Sequence, residues 1–211
     1  MPRDEVRKHP SIRGCEVRIS LACDHAGFPL KKAIQDFLLG AGHSVEDYGC
    51  KSKEPVDLPD FAYPAALALS QGRVDRAILI DGAGYPSAMI ANCLWGVYAA
   101  VANDPLSARF AREHSDANAL CLGGKVIGEA MGLECVRLFL ELECLGGKYA
   151  RRIEKIRAIA QRHRLPSDLQ PLKVLTVEDL RVALERKRPI LLDERTLLTP
   201  SVQDLVHSLR S

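Results

Sequence analysis

From Val17 onward, short apolar runs alternate with amphipathic stretches. Val17–Ala22, Ser44–Tyr48, Ala77–Ile80, Val97–Val101 and Ala119–Leu122 predict strands, and the segments 28–40, 60–71, 86–94, 105–113 and 126–143 predict helices. Apolar strands separated by amphipathic helices specify a parallel sheet covered on both faces. The expected fold is therefore a doubly wound, Rossmann-like α/β domain with a five-stranded parallel sheet. Such sheets bind ligands beyond the carboxyl ends of their strands, which directs attention to the loops that start at Cys23, Asp81, Asn103 and Gly123.

After these elements come Gly146-Gly147 and the basic segment Lys148–Arg164, whose Ile153, Ile156 and Ile159 recur on one helical face. LPSDLQPLK at 165–173 holds two prolines and reads as a linker. Beyond it, Thr176 with Asp179 suggests a capping box for a helix to Lys187. Pro189–Asp193 could form a strand, and Thr199-Pro200 suits the start of a last helix. The chain thus divides into an N-terminal arm (1–15), an α/β domain (16–164), the linker and a small C-terminal extension (174–211).

The 211 residues are 47% hydrophobic, enough for one substantial core. A net charge of +2 is too balanced for a chain gripping nucleic acid or an anionic membrane, so neither is an expected partner. No apolar run reaches a membrane span and the charged N-terminus has no signal-peptide core, which predicts a cytoplasmic protein. The seven cysteines form no Cys-x-x-Cys pair and show no zinc-ligand spacing, so they read as reduced, mostly buried small side chains with no metal site.

Five loop features could carry chemistry. Asp24-His25 places an acid and an imidazole at a strand exit, although a capping residue and a surface histidine would look the same. Asp81-Gly82-Ala83-Gly84 puts a carboxylate beside amides that could face an anion, or simply forms a tight turn. The polar run Arg112–Asn118 contains His114, and could equally terminate a helix. Lys125, and Lys148 with Arg151 and Arg152, suit a phosphate or a solvated face.

Taken together, CDHAGFPLKKAI, VDLPDFA, DGAGYPSAMIAN, AREHSDANALCLGGKVIG and GGKYARRIEKI resemble the type B ribose-5-phosphate isomerase and galactose-6-phosphate isomerase family over residues 16–160. The resemblance implies aldose–ketose isomerisation of a phosphorylated sugar without metal or cofactor. It also implies a homodimer, or a dimer of dimers, with sites between subunits. The family's base is a cysteine at position 81, or a glutamate at 87 in another branch; here Asp81 and Ser87 stand there. The ring-opening hydroxyl is missing at Ala83 while His114 stays, and the asparagine expected after that histidine is Ser115. Lysines replace arginines at Lys125 and Lys148, Tyr149 replaces a histidine, Leu58 replaces a tyrosine, and Arg152 is retained.

The expected catalytic set is Asp81, His114, Asp24, Gly82, Gly84 and Ser115. Asp81 would serve as proton-transfer base, with burial raising its pKa toward neutrality, and the Gly82 and Gly84 amides would face the enediolate. His25, Lys125, Lys148 and Arg152 would bind the phosphate. Without the hydroxyl at 83, an open-chain substrate such as a tetrulose 4-phosphate is one expectation. A non-catalytic sugar-phosphate-binding or structural subunit is the competing one. The extension, through TVEDLRVAL and LLTPSVQDL, is similar to tails of enzymes associated with bacterial microcompartments, implying shell or cargo proteins as partners. Val202, Leu205, Val206 and Leu209 share one helical face, as either a docking helix or one folded back on its own chain requires.

Overall fold

The computed structural model describes residues 16–164, 174–177, 180–181 and 196–208. The expected arm, linker and 189–193 strand lie outside them, as do Cys15 and Leu209. Two compact units are present, 1–155 and 156–211, with their boundary inside a helix.

The first unit runs β1 (Arg18–Cys23), α1 (Phe28–Gly40), β2 (Ser44–Asp47), α2 (Pro59–Ser70), β3 (Arg76–Asp81), α3 (Tyr85–Asn92), β4 (Ala99–Val101), α4 (Pro105–Glu113), β5 (Ala119–Gly123), α5 (Glu129–Glu141) and the start of α6 (Gly147–Arg164). The five strands are all parallel in the order β2-β1-β3-β5-β4. Each central strand sends alternate residues to opposite layers. Ile19, Leu21, Ile78, Ile80, Leu120 and Leu122 pack with Leu30, Ile34, Leu38, Val136 and Phe139 of α1 and α5. Ala22, Ala77, Leu79, Ala119 and Cys121 meet the alanine-rich face of α2 and α3. This is the doubly wound sheet expected from the alternation.

Several boundaries shift from the sequence pattern by one to three residues, and two of these shifts have a visible cause. Val97 and Tyr98 precede β4 because the buried Asn118 side chain accepts from Tyr98 N (2.7 Å) and donates to Gly96 O (2.7 Å), closing that segment as a loop. Residues 124–127 do not begin α5. Gly124 N donates to Asp81 O (2.7 Å) and Lys125 N to Gly82 O (3.0 Å), tying this stretch to the exit of β3.

Six described cysteines are free. Cys23, Cys50, Cys121 and Cys135 are buried, and burial pushes the Cys135 thiol up to about 11. Cys93 departs from the expectation by being exposed, at the end of the short α3.

In the second unit, β6 (Val174–Leu175) pairs in parallel with β7 (Leu197–Leu198), and Thr199 N donates to Leu175 O (3.1 Å) at the start of α7 (Pro200–Ser208). Val202 is 1% exposed, which removes it from the docking face considered above and fits a helix folded back on its own chain. Among the described residues no helix is long and apolar enough to cross a membrane.

Candidate active site

From β1 the chain winds to one edge of the sheet through α1 and β2, and from β3 it winds to the other. The two exits diverge, leaving a crevice at the topological switch point between them. Asp24 and Asp81 stand at these exits. The loops approach closely: Asp24 N donates to Ile80 O (3.2 Å), and a Cβ on Gly27 would lie 2.5 Å from that oxygen, so only glycine fits. The Asp24 carboxylate accepts from the amides of Ala26 (2.9 Å) and Gly27 (3.0 Å), holding the loop as a cap would. His25 Nδ1 accepts from Val56 N (3.3 Å), so the ring proton resides on Nε2, which is left as a donor for a ligand. The VDLPDFA string thereby enters the site through its backbone.

Asp81 is 3% exposed and organises the next turn. Its Oδ1 accepts from Ala83 N (2.8 Å) and Gly84 N (2.6 Å), and Oδ2 from Ser87 N (3.0 Å). Gly84 takes φ 89°, a left-handed conformation that glycine adopts without strain. The carboxylate thus fills the amino end of α3. This revises the expected role of Gly84: its amide faces Asp81 and is not free for an enediolate, whereas Gly82 N makes no bond to Asp81. A carboxylate has about four lone-pair sites, so the three amides leave one on Oδ2. The Ser87 hydroxyl is buried and has no hydrogen-bond partner.

Asn103, at the exit of β4, was not among the expected site residues, although its loop was. Its Oδ1 accepts from Gly123 N (2.9 Å) and its Nδ2 donates to Ala83 O (3.4 Å), clasping the β3 and β5 exits together. Lys125 follows, with its Cδ 3.9 Å from where a Cβ on Gly82 would sit. Asp24, His25, Asp81, Gly82, Gly84 and Lys125 are therefore gathered at the carboxyl edge of the sheet.

The remaining expected residues are elsewhere. In a parallel sheet each helix returns the chain to the amino edge, and α4 ends there, just before β5 starts. Asp116 at φ 49° stops the helix: Asp116 N donates to Arg112 O and Ala117 N to Ala111 O, while the Asp116 carboxylate takes Arg112 Nη1 (3.0 Å). His114 and Ser115 lie at this end. Leu145 N donates to Glu113 O (3.0 Å), bringing the start of α6 alongside. There Tyr149 stacks on His114 with centroids 4.2 Å apart, Phe110 covers the imidazole at 4.4 Å, and Lys148 Nζ and Arg152 Cζ lie 5.0 and 5.8 Å over the Tyr149 ring. The five residues of β5 span about 15 Å between the two edges. A single chain does not bring the expected set together; it presents two half-sets at opposite edges.

Fold and site together define an α/β protein with two carboxylates, a histidine and a lysine gathered at the switch point and a second group of cations, Lys148 and Arg152, at the opposite edge of the sheet. The family model for ribose/galactose isomerases matches residues 19–156, and the chain belongs to that family. It is 39% identical over 145 residues to ribose-5-phosphate isomerase B of Escherichia coli, covering 69% of this chain and 97% of that one. It is 36% identical over 140 residues to D-erythrulose-4-phosphate isomerase of Pectobacterium atrosepticum, covering 65% and 91%. The crystal structure of ribose-5-phosphate isomerase B from Mycoplasma genitalium with bound ribulose-5-phosphate superposes with a TM-score of 0.65 at 35% identity, covering 68% and 96%.

Proposed function

We propose that this protein is an aldose–ketose isomerase of a phosphorylated sugar, and that two copies of the chain assemble each site. The reading rests on the family membership and, above all, on the loops bearing Asp24, His25, Asp81 and Lys125 converging at the switch point. Asp81 Oδ2, through its unclaimed lone pair, takes the proton from C2 of the aldose as the C1 carbonyl becomes an enediolate oxygen. The Gly82 amide donates to that oxygen. The same carboxyl returns the proton to C1, and the O2 hydroxyl proton passes to O1, so the ketose forms with no net gain or loss. His25 and Lys125 from one copy, with Lys148 and Arg152 from the other, hold the phosphate; His114 and Ser115 of the second copy meet the sugar hydroxyls. The exposed Tyr85 and Met89, one turn apart on α3, favour a second copy as their cover.

Ala83 offers no hydroxyl for ring opening, which favours an open-chain tetrulose 4-phosphate over a ring-forming pentose phosphate. The binding-only reading draws on one observation, the commitment of three amides to Asp81. Proton exchange at C2 in deuterated water, run over four-, five- and six-carbon sugar phosphates, separates the two. Exchange with any of them identifies a working base, and silence across the panel favours binding without chemistry.

We also propose that residues 174–211 locate the enzyme, through contacts with microcompartment shell or cargo proteins. Every site residue named above precedes them. Deleting 171–211 should leave exchange rates unchanged, and fusing that segment to a fluorescent protein should draw it into shells of the source organism. Loss of activity on truncation together with diffuse fluorescence would assign the segment to the enzyme's own structure.

A further inference from the structure

His114 has both ring faces covered, by Phe110 at an interplanar angle of 14° and by Tyr149 at 4°. Only its edge, which carries Nδ1 and Nε2, is left to meet a ligand, and rotation about the ring axis is blocked. The ring that stacks on the imidazole at 4.2 Å also carries the cations, with Lys148 Nζ 5.0 Å and Arg152 Cζ 5.8 Å from its centroid. Lysine and arginine lose more rotamer entropy on being fixed than most side chains. An aromatic face that docks them beforehand lowers that cost when an anion binds. Tyr149 is half-buried in the first turn of α6, while His114 sits at the end of α4, so one ring sets the spacing between residues from two helices.

We infer that Tyr149 is a positioning residue that couples the two ends of this half-site, one ring both fixing the plane of His114 by stacking and docking the Lys148–Arg152 pair. The roles of those three residues rest on the isomerase reading above; the coupling itself does not. In this chain the distance between the imidazole edge and the phosphate-binding cations is set by an aromatic ring, and so is the length of ligand that can span them.

Tyr149→Leu keeps apolar bulk and removes both π faces. Two signals are read on the full-length protein. The His114 ring protons, shifted upfield in nuclear magnetic resonance spectra by the stacked tyrosine, should move downfield in Tyr149→Leu, and affinity for inorganic phosphate should fall about fivefold, the scale of a partly exposed cation–π contact. Tyr149→Phe retains the faces and should restore both, with phosphate affinity within about twofold of wild type. Should Tyr149→Leu fail to fold, Tyr149→Met carries the same expectation. If either signal stays at its wild-type value without the aromatic ring, if Tyr149→Phe behaves like Tyr149→Leu, or if the wild-type protein binds no phosphate, the coupling is wrong. A protein that exchanges no sugar proton yet shows both effects would refute the isomerase reading and leave the coupling standing.

Discussion

Asp81→Asn is expected to abolish C2 proton exchange and also to weaken the fold. Removing a positioned general base costs about 10²- to 10⁴-fold in rate. The structural cost follows from three amides that converge on this carboxylate. The asparagine oxygen can still accept from Ala83 N and Gly84 N, but its NH₂ group then meets Ser87 N, donor against donor. A buried amide left without an acceptor costs about 1–3 kcal/mol, and Asp81 is almost wholly buried. Thermal unfolding therefore has to be measured beside exchange, at a temperature where both proteins are folded. Loss of exchange in a folded Asn variant supports Asp81 as the base. If exchange survives and only the melting temperature falls, Asp81 is a cap on α3 and the proton goes elsewhere. Asp81→Cys restores the family's usual residue, yet one thiolate cannot satisfy the three amides, so any recovered chemistry should come with a less stable loop.

The sheet was legible because alternation is local. Ile19, Leu21, Ile78 and Ile80 point to one layer and Ala22, Ala77 and Leu79 to the other, as the period of a strand requires. The late start of α5 was not legible, since it depends on Gly124 and Lys125 bonding to a loop more than forty residues earlier. The candidate residues at the carboxyl edge were visible as polar strings at strand exits. What Asp81 does with its oxygens was not, because the competition between capping a helix and holding a substrate is decided by geometry. The separation of His114 from Asp81 did leave a signal. A residue that follows a helix and precedes a strand in a doubly wound sheet lies at the amino edge, and Asp81, following a strand, lies at the other. The same rule, applied to Lys148 and Tyr149 beyond α5, places the whole second half-set.

That separation leads to the largest effect expected of any pair of variants. In the proposed composite site, Asp81 and Lys125 come from one chain and Lys148 and Arg152 from the other. Removing a charge-assisted hydrogen bond to phosphate weakens binding about ten- to a hundredfold, so Lys148→Ala/Arg152→Ala should be almost inactive at low substrate, as Asp81→Asn is at any concentration. If each site combines half-sets from two chains, a heterodimer of these two proteins has one site carrying every defect and one carrying none. Random reassociation of equal amounts makes half of the dimers mixed, and activity should return to about a quarter of wild type. The mixture is prepared by reversible dissociation, with exchange at C2 as the readout and each variant reassociated alone as its control. A mixture no more active than its components would show that each site is built within one chain, and the composite arrangement would fall, because no amount of subunit exchange can then reunite Asp81 with an intact pair of cations.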